Sequence, residues 1–139
     1  MSLNTSDLNI AWDNFVKEQN GHLLQTARWG QLKAAFGWSY EIVVVMNQGQ
    51  IKAGALVLFK PLPLHMGTIA YVPRGPVVDW SDTGALETLM PYLDRAARKR
   101  HAILLKVEPD QPDELGVRER LHDLDFHSSP HNVQPPRTI

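Results

Sequence analysis

Cysteine is absent from the 139-residue chain, and this absence excludes several classes of protein. Without a thiol, the chain has no disulfide scaffold, no thiolate metal site and no cysteine nucleophile. Long apolar runs are also missing, since the longest one, residues 53–59, is far too short to cross a bilayer. The N-terminus is polar and lacks the apolar segment of a signal peptide. We therefore expect a cytoplasmic protein that contacts a membrane at most from the outside.

An excess of charge of one sign is missing as well. The chain has 14 lysine and arginine residues against 15 aspartate and glutamate residues, a net charge of −1. This balance does not provide the broad positive field that nucleic-acid backbones require. A ligand that carries phosphate must then be held locally, by a few placed cations. A serine nucleophile in a Gly-x-Ser-x-Gly turn is not present either.

The first part of the chain predicts two helices. Ser6 is expected to cap the first, whose apolar face repeats at helical spacing through Leu8, Trp12, Phe15 and Val16. Thr26 is expected to cap a short second helix, with an apolar side formed by Trp29, Leu32 and Phe36. This spacing places Lys33 at the edge between core and solvent.

Four strands are predicted from runs of β-branched and apolar residues. The first two, at 38–46 and 50–59, form a hairpin around a turn at 47–50, and two more lie at 68–72 and 102–107. The last two are separated by a helix, so that strands and helices alternate along the chain. This order predicts an α/β fold with a mixed sheet flanked by helices.

The helix between the last two strands has the clearest pattern. Asp82 is expected to cap it, and Pro91 is expected to kink or divide it. Its end carries the basic cluster Arg95, Arg98, Lys99, Arg100 and His101. Because cations complement the helix dipole at this end, solvated charge is favoured over an anion site. A short helix at 113–123 and an extended segment from Phe126 follow.

The histidines near the end of the chain raise the question of a metal site. His127 and His131 are four residues apart, with His122 upstream. Such spacing binds metal when both rings share a helical face, but Ser128, Ser129 and Pro130 lie between them and disfavour a helix. The sequence therefore predicts no metal site.

Four segments, taken together, resemble the N-terminal half of the Fem-type (FemABX) peptidyltransferases. They are LQTARWGQLK at 24–33, YVPRGPVVD at 71–79, LKVEP at 105–109 and NVQPPRTI at 132–139. Each segment alone is unspecific, whereas their order and spacing along nearly the whole chain are specific. The final segment is the most diagnostic of the four.

The resemblance implies an acyltransferase-like (GNAT-like) fold. Fem-type enzymes contain two such subdomains, so residues 1–131 are expected to form the first. Residues 132–139 are then expected to begin a crossover strand toward a second subdomain, which makes the chain the N-terminal part of a longer enzyme. The glycine-rich loop that seats coenzyme A in GNAT acetyltransferases is missing, so the use of acetyl-CoA is not expected.

The resemblance also implies an activity. Family members transfer an amino acid from aminoacyl-tRNA to an amine on the stem peptide of a peptidoglycan precursor, which is either a UDP-muramyl peptide or its lipid-linked form. The bond formed is an amide, so no metal or redox cofactor is implied. The alternative is a non-enzymatic GNAT-like module for binding or dimerisation, in which an exposed strand edge pairs with a second copy.

Three residues are carried over from the resemblance as candidate site residues. Lys33 matches a lysine that contacts the uridine diphosphate end of the acceptor, although a solvated helix lysine remains the alternative. Glu108 matches a position where the family commonly has aspartate, and a carboxylate there could accept a proton from the attacking amine. Arg74 lies in a proline-stiffened turn where the family carries basic residues. The alternatives are a structural carboxylate for Glu108 and a turn arginine paired with Asp79 or water for Arg74.

Three aromatic residues leave two interpretations open. Trp29, Trp38 and Tyr71 could stack on a uracil base, since each offers a flat apolar surface. They also lie within apolar patterns, where aromatic side chains belong more often to the core.

Overall fold

The computed structural model of the chain describes residues 4–80, 82–110, 121–124, 126 and 137–138, with the backbone alone at 83, 137 and 138. Its helices and strands are, in chain order, α1 (Thr5–Glu18), α2 (Ala27–Ala34), β1 (Ser39–Asn47), β2 (Gln50–Pro61), β3 (Thr68–Pro73), α3 (Thr83–Lys99), β4 (Ala102–Glu108) and β5 (Arg137–Thr138). Short 3-10 turns lie at Leu23–Gln25 and Pro63–His65.

The strands form one sheet in the order β1-β2-β3-β4-β5. The first three strands pair antiparallel, whereas β3 with β4 and β4 with β5 pair parallel. Helix α3 connects the parallel pair β3 and β4, because a parallel neighbour cannot be reached by a tight turn. The predicted mixed sheet flanked by helices is confirmed, and so are the hairpin and the third and fourth strands.

The strand directions give the sheet two distinct ends. At the first end, β1, β3 and β4 begin and β2 ends, as the pairs Ser39 with Phe59 and Thr68 with Ala102 show. At the second end, β3 and β4 finish side by side, with Pro73 opposite Glu108.

The two faces of the sheet carry separate apolar cores. One face is covered by α3, which contributes Leu86, Leu89 and Leu93, all nearly inaccessible to solvent. The other face is covered by α1 and α2, with Trp12 fully buried against Leu56 and Leu58 of β2. Because α1 and α2 pack on β1 and β2, they cover the half of this face that β1 and β2 form.

Two of the predicted helix features need correction. The side chain of Asn4, not Ser6, caps α1 by accepting a hydrogen bond from the backbone N–H of Asp7 at 2.8 Å. Pro91 does not divide α3, which runs unbroken through it, and the alternative of a kink at Pro91 stays a prediction; Asp82 caps this helix as predicted.

The predicted apolar side of α2 is correct for Trp29, which packs half-buried against the core, and wrong for Leu32 and Phe36. Thr26 caps the helix as expected, but Leu32 and Phe36 are 49% and 71% exposed, and Ala27 and Gly30 are buried instead. The reason is a close approach between α2 and β1, because a Cβ atom on Gly30 would lie 2.7 Å from Cγ of Tyr40. The helix therefore packs through its smallest residues.

The remaining predictions lie partly outside the described residues. Of the predicted helix at 113–123, only 121–123 are described, and they are helical. The predicted boundary between 131 and 132 and the extended segment after Phe126 fall on residues that the structure does not describe, so both stay predictions. No helix among the described residues combines the length and apolar character that crossing a membrane requires.

Candidate functional site

Lys33 lies against two tryptophan rings at the first end of the sheet. Its Nζ is 4.9 Å from the ring centroid of Trp38 and 5.8 Å from that of Trp29. The Nζ of Lys60, at the end of β2, is 5.2 Å from the same Trp38 ring. The tryptophans are half-buried and pack against the core, and their exposed parts support lysine side chains. Stacking on a uracil base stays a prediction.

Two ammonium groups around one ring form a local positive site. Within the described residues, neither Lys33 nor Lys60 has a carboxylate partner within ion-pair distance. A cation over an aromatic face is attracted by the ring quadrupole and keeps its hydrogen-bond donors free for another ligand. The site therefore offers donors to a compact anion such as a phosphate.

Arg74 and Glu108 form an ion pair at the second end of the sheet. Nε of Arg74 is 3.4 Å from Oε1 of Glu108, and both side chains are about half-exposed, at 46% and 40%. Their proximity follows from topology, because the ends of the adjacent parallel strands β3 and β4 lie next to each other. Two residues that are far apart in sequence thus share one site.

Tyr71 joins this pair from β3. It lies opposite Lys106 of β4, and its hydroxyl donates a hydrogen bond to the carboxylate of Glu108. Burial, followed by the negative charge of Glu108, raises the pKa of Tyr71 to about 12, although the charge of Arg74 opposes the shift. Tyr71 therefore remains a hydrogen-bond donor throughout the physiological pH range and orients the carboxylate.

Gln25 braces the loop that carries Arg74. This fully buried side chain accepts from the N–H of Leu56 at 2.8 Å and donates to the carbonyl oxygens of Leu56 at 3.2 Å and Pro73 at 2.6 Å. A Cβ on Gly75 would lie 2.7 Å from the amide of Gln25, so only glycine fits there. Arg74, with φ of 54°, is held between these two fixed points.

The three candidate residues lie on the same face of the sheet but at its two ends. Strand alternation places Lys60 and Tyr71 on the face that α1 and α2 partly cover. Lys60 pairs with Ile69, four residues before Pro73 on β3, so the two groups are separated by roughly 14 Å. Between them, the half-buried side chains of Ile69, Tyr71 and Lys106 form a continuous strip on β3 and β4.

Three cavities lined by described residues do not include any of the candidate residues. A cavity of about 720 Å³ lies elsewhere, between the end of α1, the β1–β2 turn and the start of α3, and its lining includes none of the three candidate residues. Among the described residues, no group of three histidine, aspartate or glutamate side chains is placed to hold a metal ion. His127 and His131 lie outside the described part of the chain.

The basic cluster at the end of α3 is partly engaged in ion pairs. Lys99 and Arg100 lie 3.1 Å and 3.4 Å from Oε1 of Glu41 on β1. The guanidinium of Arg100 also stacks 4.5 Å from the Phe59 ring centroid. These contacts attach the end of α3 to the sheet, whereas Arg98 is exposed.

Sequence reasoning missed three residues of this arrangement. Gln25 and Lys60 carried no signal of their own, since a buried glutamine and a second lysine are recognised only from their neighbours in space. Tyr71 was noted as a stacking or core residue, and its hydrogen bond to Glu108 was not anticipated. The parallel register of β3 against β4 is what places Tyr71 near Glu108.

Comparison with known proteins agrees with the fold and with the family resemblance. The FemAB family matches residues 9–120. The chain is 39% identical over 110 residues to Lipid II:glycine glycyltransferase of Staphylococcus haemolyticus, covering 78% of this chain and 26% of that protein. It is 35% identical over 121 residues to Lipid II:glycine glycyltransferase of Staphylococcus epidermidis, covering 85% of this chain and 29% of that protein.

A solved structure matches in the same way. The chain superposes on the crystal structure of FemX with a TM-score of 0.79 and 31% sequence identity, covering 89% of this chain and 31% of that one. Fold and sequence together define a mixed α/β domain of a transferase family. The chain belongs to the FemAB family. It spans between a quarter and a third of the length of these relatives.

Proposed function

We propose that the chain forms the acceptor-binding part of an aminoacyltransferase that builds peptide bridges in peptidoglycan. The complete enzyme would transfer an amino acid from aminoacyl-tRNA to an amine on the stem peptide of a muramyl precursor. The observation that carries this proposal is one face of the sheet with two lysines at one end, which have no carboxylate partner among the described residues, and a carboxylate at the other end.

Lys33 and Lys60 hold the diphosphate of the precursor in this proposal. A diphosphate is a compact dianion, and ammonium groups provide short, charge-assisted hydrogen bonds to it. The half-buried position of Lys33 between Trp29 and Trp38 limits the rotamer entropy that is lost when the anion binds.

Glu108 accepts the proton that the acceptor amine loses as it attacks the aminoacyl ester. Aminolysis needs a neutral amine, and a positioned carboxylate supplies a base at the point of attack. Arg74 and Tyr71 hold this carboxylate from two sides, and Arg74 also presents a cation to the anionic peptide.

The separation of the two groups fits a precursor that lies along β3 and β4. The diphosphate and the acceptor amine are separated by a sugar and a length of peptide. Roughly 14 Å corresponds to about four extended peptide residues, a span that such a molecule covers. The remainder of a longer protein, in this proposal a second GNAT-like subdomain, closes the open side and binds the aminoacyl-tRNA on the cytoplasmic side of the membrane.

Calorimetric titration of the full chain with UDP-muramyl pentapeptide tests the lysine site. Lys33→Ala is expected to weaken binding by about 10-fold to 100-fold, because one charge-assisted contact to phosphate is lost. Lys52→Ala is the matched control, since Lys52 is an exposed lysine near the β1–β2 turn, and its affinity should equal that of the wild type. Equal affinity of Lys33→Ala and wild type, or no binding at millimolar ligand, would contradict the proposal.

A further inference from the structure

We propose that the first end of the sheet is a membrane-contacting surface that binds bilayers rich in anionic headgroups. The surface consists of three segments that meet there: residues 35–38 before β1, residues 62–67 between β2 and β3, and residues 100–103, which comprise the connection after α3 and the first two residues of β4. Its occupant is the lipid headgroup region, into which exposed apolar side chains insert.

Large apolar side chains project into solvent from each of these segments. Phe36 is 71% exposed, Leu64 87%, Met66 63% and Ile103 57%. The second and third segments are adjacent in space, because the N–H of Thr68 donates to the carbonyl of His101, and a Cβ on Gly67 would lie 2.9 Å from the Ile103 side chain. The first segment lies beside the end of β2, since Nζ of Lys60 is 5.2 Å from the Trp38 ring centroid. Single exposed apolar residues are common, but four at one end of a small domain indicate an interaction surface.

The backbone of the connection between β2 and β3 keeps its tip exposed. Leu64 and His65 both adopt left-handed conformations, with φ of 60° and 55°. Side chains with a Cβ adopt this region rarely and at an energetic cost, and consecutive instances away from glycine are associated with function. Here the conformation presents Leu64, the most exposed of the large apolar residues, to solvent.

Cations surround the apolar side chains. Lys60 and Arg98 are exposed at this end, and the ion pairs of Lys99 and Arg100 share a single carboxylate, Glu41. Apolar insertion combined with lysine and arginine is the pattern of proteins that lie in the interface of an anionic bilayer. Transfer RNA would match the cations but would leave Leu64 and Met66 without an apolar partner, so the bilayer is the better match.

The surface also bears on whether the acceptor is the lipid-linked precursor or the soluble UDP-muramyl peptide. This step rests on the proposed function. In a lipid-linked precursor the diphosphate is the group that joins the sugar to the lipid, so it lies at the membrane surface. Lys33 and Lys60 lie at this same end of the sheet. A diphosphate held there would keep its lipid in the bilayer, in agreement with the lipid II in the names of the relatives.

Vesicle sedimentation tests the surface without any muramyl ligand. The full chain is mixed with vesicles of phosphatidylcholine alone or with about one third phosphatidylglycerol, at low and high salt. We expect binding to the anionic vesicles that weakens as salt rises. The double variant Leu64→Ser/Met66→Ser should bind at least about tenfold more weakly, because its apolar insertion is lost. The matched double variant Ile10→Ser/Met46→Ser, which removes exposed apolar residues on α1 and near the β1–β2 turn, should bind as the wild type does.

Three outcomes overturn the membrane surface. One is sedimentation no greater than in a blank without vesicles, and another is an equal loss in both double variants. The third is a Leu64→Ser/Met66→Ser variant with unchanged vesicle binding but altered thermal stability or oligomeric state, which would mean that protein covers these residues. A negative result with vesicles would not affect the calorimetric test of Lys33→Ala, so either proposal can be contradicted without the other.

Discussion

At the scale of single residues, the chemistry depends on a carboxylate held from two sides. Glu108 receives a hydrogen bond from Tyr71 and an ion pair from Arg74 at 3.4 Å. An ion pair that is half-exposed contributes little to stability, about 0–1 kcal/mol. The ion pair therefore serves mainly to position the carboxylate and contributes little to the free energy of unfolding.

Replacing Glu108 tests its proposed role as base in the full-length enzyme. Glu108→Gln keeps the shape but cannot accept the proton, so kcat for aminoacyl transfer should fall by about 10²-fold to 10⁴-fold. Glu108→Asp should retain more activity, because it keeps the carboxylate. Glu87→Gln, at an exposed position on α3, serves as the control. Full activity of Glu108→Gln would exclude Glu108 as the base.

The raised pKa of Tyr71 predicts a pH dependence of stability. The phenol titrates at about 12 in the folded protein, against a reference value of 10.0, so folding favours its neutral form. The resulting stabilisation is complete below pH 10 and is lost as the pH rises toward 12. The free energy of unfolding, measured in urea at several pH values, should therefore fall more steeply over this range in the wild type than in Tyr71→Phe.

Tyr92→Phe provides the control for that measurement. Tyr92 is 42% exposed on α3, and its removal should leave the steep decline in place. Identical slopes for the wild type and Tyr71→Phe would show that Tyr71 does not titrate differently in the two states.

At the scale of elements, Gln25 connects three parts of the fold. Its side-chain amide forms hydrogen bonds with Leu56 in the middle of β2 and with Pro73 at the end of β3. Its backbone carbonyl oxygen accepts a hydrogen bond from Nε1 of Trp12 on α1 at 2.5 Å. Because no water reaches this amide, each partner would be left unsatisfied if it were removed. Gln25 thus fixes the loop that carries Arg74 to β2 and α1.

Gln25→Ala should destabilise the domain by about 3 kcal/mol, since it leaves buried backbone groups of Leu56 and Pro73 without partners. Gln31→Ala, at an exposed position on α2, should change the free energy of unfolding by less than about 0.5 kcal/mol. Urea denaturation of both variants makes the comparison. Equal stabilities would mean that the buried amide network is dispensable.

Helix α2 illustrates where sequence patterns fail at this scale. Its cap at Thr26 was predictable, because capping depends on residues close in sequence. The face that it buries was not, because the choice of Ala27 and Gly30 over Leu32 and Phe36 depends on how closely β1 approaches. The strands were predicted well, because runs such as Ile42–Val45 and Ala53–Phe59 are rich in β-branched and apolar residues, and the second run is buried throughout on the central strand β2.

At the scale of the whole molecule, the candidate site depends on sheet topology. The sequence and its family resemblance offered Lys33, Arg74 and Glu108 as candidates, but not their separation into groups at the two ends of the sheet. That separation follows from the parallel register of β3 and β4 and from the antiparallel return of β2. Such pairings are long-range in the chain, so local patterns cannot determine them.

The central claim is that the precursor lies along β3 and β4, with its diphosphate at Lys33 and its peptide at Glu108. Backbone amide resonances of the full chain, recorded during titration with UDP alone and with UDP-muramyl pentapeptide, test it most directly. UDP should shift resonances only around Lys33 and Trp38. The muramyl pentapeptide should shift these and also Tyr71, Arg74 and Glu108. Shifts by the pentapeptide that stay at one end of the sheet, or that lie away from this face, would contradict the claim.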